Sequence, residues 1–261
     1  MNGLLAKILD AHGGLALRDR YTRIEASVTV DGTLWALKGI RRDPGSWRIR
    51  VWLHEQRVWI APVGGAGWSM EFTPGRVAIL DRSGAVRSRL LNPRVAFVGH
   101  EVDTRWEPLH WAYFAGCALW TCVATPFLLA GHGVSILEIE PRIEQSETWR
   151  VLRSRFPAGF ATHSTVQDFF FGRDLLLRRH DYSIDIAGGL AVSELVFDYA
   201  EAAGISFPTR CIVCARGPSD PPLAERPIVS VAIGDLCFVG PDDADPSRPG
   251  PERSVGAPDA R

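Results

Sequence analysis

From Trp111 to Gly131 the chain carries no charged residue, and this run limits what it can fold into. A stretch so long and apolar all round is either a bilayer span or a helix enclosed by protein. Three features favour enclosure. Ala112, Ala115, Gly116 and Ala118 are small enough to pack closely on a sheet, Pro126 interrupts the run, and no cluster of Lys or Arg marks a membrane flank. The expectation is an apolar central helix in a protein core and no integral membrane span.

The rest of the chain reads mainly as strands that would supply the enclosure. Tyr21 to Arg89 consists of short alternating runs broken at Asp31-Gly32, Asp43-Pro44-Gly45, Gly64-Gly65, Pro74-Gly75 and Ser83-Gly84. The stretch Val28 to Leu37 predicts a hairpin turning at Asp31-Gly32, a pair that tolerates positive φ. Strands resume at Ser135–Ile139, Trp149–Phe156, His163–Phe171, Leu175–Ile184, Ala191–Tyr199, Phe207–Ala215 and Ile228–Leu236. A short amphipathic helix is expected over Gly3–His12, ending at Gly13-Gly14. The fold class is α+β, mostly antiparallel β. Residues 1–239 read as a single domain, and 240–261, rich in Pro, Asp, Gly and Arg, as a disordered tail.

Charge removes one class of partner. Lys and Arg number 29 against 30 Asp and Glu, so no global field would draw in nucleic acid. The segment Met1 to Gly14 places Lys7 and Asp10 where a signal peptide needs an unbroken apolar stretch. The five cysteines, an odd number, sit in apolar company, as reduced buried thiols do. Together these readings lead to a cytoplasmic setting as the expectation.

Several stretches carry a family likeness: Tyr113-Phe114-Ala115-Gly116 with Ala118-Leu119-Trp120, Thr125-Pro126-Phe127-Leu128-Leu129, Ala161-Thr162-His163-Ser164, Leu176 to Tyr182, and Phe207-Pro208-Thr209-Arg210. Over most of its length up to about Leu236 the chain resembles an uncharacterised bacterial family similar in fold to the LolA and LolB lipoprotein carriers. It departs from that pattern at Cys117 and Pro108. The resemblance implies a strongly curved, incomplete β-barrel holding helices in its concave side, with an apolar cavity able to take an acyl chain or a similar ligand.

Candidate residues follow from chemistry. His110 precedes Tyr113 and Phe114 by three and four residues, which on a helix gives an aromatic pocket a polar centre. His163 and His180 flank the turn at Gly172, and in a strand His180 and Tyr182 share one face while Asp181 points away. His110, His163, His180 and Tyr182 are thus candidate proton donors and acceptors, with a structural role as the alternative for each. Trp52, Trp111, Tyr113, Phe114, Trp120 and Phe127 are the candidate ligand-binding residues. Nine Trp and twelve Phe against four Tyr either fill a large core or line a cavity.

No metal or cofactor is expected. Cys211-x-x-Cys214 is half of a zinc pattern, but residues three apart on a strand face opposite ways. No Gly-x-Ser-x-Gly elbow or phosphate-cradling loop supports a hydrolase, kinase or dehydrogenase. The expected function is binding of a hydrophobic small molecule in an apolar cavity. The alternative is an enzyme, a cyclase, isomerase or lyase of a hydrophobic metabolite, using His and Tyr acid–base chemistry. An enzyme needs at least two ionisable groups facing one cavity, whereas a binding protein needs few or none.

Overall fold

The computed structural model describes residues 2–40, 46–64, 67–144, 146–217 and 222–243, with the side chains of 222–226 left aside. The turn expected at Asp43-Pro44-Gly45, Gly65, and the tail from residue 244 onward lie outside the described residues.

Helix α1 (Gly3–Ala11) forms where Leu4, Leu5, Ile8 and Leu9 share one buried face, and the Asn2 side chain caps it by accepting from the Leu4 amide at 2.8 Å. A single turn, α2 (Leu15–Arg18), leads into strand β1 (Arg23–Asp31). The first meander continues through β2 (Ser46–Trp52), β3 (Val58–Ala61), β4 (Ser69–Thr73), β5 (Arg76–Leu80) and β6 (Val86–Leu91). The second comprises β7 (Ser135–Glu144), β8 (Glu147–Arg155), β9 (Val166–Phe171), β10 (Leu177–Ile184), β11 (Leu190–Ala202), β12 (Ile205–Arg216) and β13 (Pro222–Val239). All thirteen form one antiparallel sheet, in which β1 pairs with β13 and joins the two meanders. Strands β6 and β7 end the order without pairing to each other, so the sheet stays unclosed.

The expected hairpin at Asp31-Gly32 is not there. A tight turn of that kind needs positive φ at both residues, and only Gly32 has it, at 133°. A Cβ at Gly32 would lie 2.0 Å from the Ile228 carbonyl oxygen, so the glycine serves a close approach to β13. The chain then enters helix α3 (Leu34–Leu37), which buries Leu34 and Trp35, and β1 meets β2 only after this detour. Two strands start later than expected. β9 begins at Val166, leaving His163 in the preceding loop, and β10 begins at Leu177 because Leu175, at φ 65°, belongs to the turn.

The apolar run becomes helix α4 (Pro108–Ala124), ended as Pro126 requires and followed by a 3-10 turn at Phe127–Ala130. Among the described residues no helix is long and apolar enough to cross a membrane. Instead α4 packs on β2 to β6. From the other side Phe114 meets His163, and Cys122 meets Cys211 of β12. Strands far apart in the sheet order reach the same helix, so the sheet is curved.

The helix approaches the sheet closely at Gly116, where a Cβ would lie 2.2 Å from Cγ of buried Phe72. Gly116→Ala is therefore expected to lower stability by about 1–3 kcal/mol through overpacking. That outweighs the gain of up to about 1 kcal/mol that Ala brings to an open helical position. Urea denaturation checks the sign: a stabilised variant would mean that α4 can move off Phe72.

Candidate functional site

The strand parity of β2 sends Trp47, Ile49 and Val51 to the inner face, and Trp47 meets Trp111 of α4 edge-on at 5.3 Å. Trp35 from α3, Trp68 before β4 and Trp106 before α4 complete a set of five indoles around a cavity of about 710 Å³. Ile40, Val63, Ile79 and Leu109 supply further apolar wall, and Glu107 is the one ionisable residue among the lining residues described. Phe114 supports the wall from within the core, 6.1 Å from Trp35 and 5.1 Å from Trp106.

Trp106 is pinned in place. Its backbone amide donates to the Lys38 carbonyl at 2.8 Å, and the Lys38 ammonium lies 4.8 Å above its ring while donating to the Glu101 carbonyl. Its indole N–H is buried and has no hydrogen-bond partner among the described residues. Burial of such a donor is costly until an acceptor reaches it.

The six expected ligand-binding residues fall in different places. Trp111 lines the cavity, and Phe114 stands behind it. Tyr113 is buried against Phe72 and Phe97. Trp120 and Phe127 border a smaller cavity of about 320 Å³ with Arg18, His54 and His132, and the Trp120 indole donates to the carbonyls of Trp52 and Glu55. Trp52 requires a correction. It is expected among the ligand-binding residues, but the inner face of β2 carries Ile49, paired with Ile60 of β3, and Trp52 has the opposite parity. Its ring lies outside, under the Arg57 guanidinium at 4.1 Å, just as Trp59 lies under Arg50 at 4.4 Å.

None of the four candidate acid–base residues lines the tryptophan cavity. The Nδ1 atom of His110 accepts from the Glu107 amide at 3.1 Å, closing the start of α4, and its ring packs on Phe97 and His100. Burial, then His100, holds its pKa below the ordinary value.

The other three come together. His163 stacks on Tyr182 at 5.3 Å, and Tyr182 lies 4.5 Å from His180. Asp181 points the other way, held by Arg179 at 2.6 Å and by Ser193. Two partners were missed. The Gln167 amide nitrogen donates to the Ser164 carbonyl, so its oxygen accepts from His180 Nε2 at 2.7 Å. Glu194 faces His180 Nδ1 at 3.3 Å across the β10–β11 pair. Parity within β9 would have placed Gln167 with Phe169 and Phe171 on the inner face, but nothing local pairs it with His180.

Burial dominates this centre. It pushes Tyr182 well above its ordinary value, with Glu194 adding to the effect. It holds His163 at about 3, with His180 and Arg94 contributing. His163 is therefore neutral at neutral pH, and both of its buried ring nitrogens lack hydrogen-bond partners among the described residues.

No family model matches the chain, and no curated protein matches it. Solved structures are similar to it at low identity. A LolA superfamily protein from Nitrosomonas europaea is 11% identical with a TM-score of 0.48, covering 88% of this chain and 91% of that one. A DUF1329 family protein from Desulfovibrio piger is 12% identical at 0.46, covering 91% and 94%. An outer membrane lipoprotein-sorting protein domain from Vibrio parahaemolyticus is 9% identical at 0.39, covering 85% and 89%. These identities and TM-scores pass no ligand or activity to this chain.

Unfolded, His163 takes up a proton near pH 6.5; folded, it does so only near 3. Its contribution to stability is complete above pH 6.5 and is lost as the pH falls toward 3, by up to roughly 1.4 kcal/mol per pH unit. His163→Phe keeps a ring against Phe114 and Tyr182, and should flatten the stability profile in that window. Some slope should remain, because burial lowers His12, His100 and His110 as well. A profile as steep as the parent's, measured by denaturation at a series of pH values, would contradict this account of His163.

Proposed function

We propose that the protein binds a hydrophobic small molecule in the tryptophan-lined cavity. The observation that carries this reading is the lining itself: five indoles around about 710 Å³, with Glu107 the only ionisable residue among those described. Small-molecule sites are concave, largely apolar and of this size, with a few polar groups that orient the ligand. Flat or ring-containing ligands suit the site best, because indole faces reward offset stacking beyond simple burial.

The enzyme alternative receives less support. Only one ionisable side chain, Glu107, lines the tryptophan cavity, and His110, His163, His180 and Tyr182 stand elsewhere, while Arg18, His54, Glu55 and His132 border the smaller cavity instead. General acid–base work needs a group within hydrogen-bond reach of the proton it moves.

Native mass spectrometry of the protein, followed by solvent extraction, would identify a retained ligand. Titration with a neutral naphthylamine probe tests the location directly. The double variant Trp47→Ala with Trp111→Ala is expected to weaken binding at least ~10-fold, about 1.4 kcal/mol. Trp52→Phe, altered on the outer face, should leave affinity within about twofold, because it removes no cavity wall. Equal losses in both variants, or saturable binding untouched by the double variant, would place the ligand elsewhere.

A further inference from the structure

At the other end of α4 from Trp111, three donors from distant parts of the sequence converge. Cys122 lies in the last turn of α4, Glu194 on β11 and Cys211 on β12, and one ligand atom from each lies within 4.8 Å of the others. The sheet register accounts for two of them. Cys211 is opposite Val196, two residues from Glu194, so both project from the same face. Cys214, opposite Ser193, projects from the other. The expected orientation of Cys211-x-x-Cys214 therefore holds, but the partner of Cys211 is Cys122.

The geometry points to a binding site for one zinc-class divalent cation, held by Cys122, Cys211 and Glu194. The two sulfurs are 3.8 Å apart. Two Zn–S bonds of about 2.3 Å at a tetrahedral angle span about the same distance. A disulfide needs a sulfur separation near 2.05 Å, well short of the 3.8 Å seen here. Two thiolates and a carboxylate form a borderline-soft donor set that suits zinc better than calcium or magnesium.

The carboxylate is held from behind, as metal-bound carboxylates are. Glu194 faces His180 Nδ1, and His180 Nε2 donates to Gln167. These two contacts fix the His180 ring and set it against the Glu194 carboxylate. Such outer partners typically contribute 10–100-fold in metal affinity. Cys211 is buried, whereas Cys122 and Glu194 are partly open, which leaves an entry path. Three protein donors leave the fourth tetrahedral position free for water. Binding converts two thiols to thiolates and releases two protons to solvent, so affinity should rise with pH.

Cobalt(II) is the probe, added to the full chain under reducing conditions. One equivalent should produce a thiolate-to-cobalt charge-transfer band that zinc abolishes by displacement. Cys122→Ser and Cys211→Ser should each remove the band, Cys214→Ser should retain it, and His180→Ala should weaken binding by about 10–100-fold. Circular dichroism verifies that the variants fold. A reduced parent chain that gives no thiolate band, or a band that survives Cys211→Ser, would overturn the assignment. So would a band lost equally in Cys214→Ser.

Discussion

A helix of 17 residues with no polar face cannot rest on a flat sheet, because one side would remain in water. In this protein α4 is covered by β2 to β6 on one side and reached by β12 and the loop before β9 on the other. Covering a cylinder with strands requires curvature. Joining the two meanders through β1 and β13 makes one sheet long enough to supply it. That pairing brings Val28 opposite Ile233, a closure over most of the chain. Its entropy cost grows only logarithmically with loop length, while the ladder and the buried core beneath it stabilise it over many residues.

The same enclosure separates two environments along one helix. Near its start the indoles of Trp35, Trp47, Trp106 and Trp111 stand apart enough to leave open volume, because rigid rings meeting edge-on cannot close up as flexible aliphatic chains would. Further along, small and polar side chains close the space. There His163, Tyr182, His180, Gln167 and Glu194 form a buried network in which most polar atoms are satisfied and the two His163 nitrogens are not. A network of this kind fixes one register of β9, β10 and β11, since a one-residue slip would turn every inward polar atom outward.

Much of the fold could be read from residue order. The charge-free run marks α4, Pro126 marks its end, and alternation with turn pairs marks both meanders. The shared face of His180 and Tyr182, and the opposed directions of Cys211 and Cys214, were also legible because strand parity is local. The hairpin at Asp31-Gly32 was misread for a complementary reason. A glycine with positive φ marks a backbone need, and here the need was room for the Ile228 carbonyl, from the far end of the chain.

The sequence by itself determined the elements: an apolar helix that must be enclosed, antiparallel strands to enclose it, and enough indole to line a cavity. Only the tertiary structure decided which parity of each strand faces inward, and so put Trp47 in the cavity and Trp52 outside it. It also decided that Cys211 meets Cys122 and Glu194. The physical reason is that periodicity is a property of neighbours in the chain, whereas a site is a property of neighbours across a sheet. Long-range pairing sets that second relation, and no local spacing encodes it.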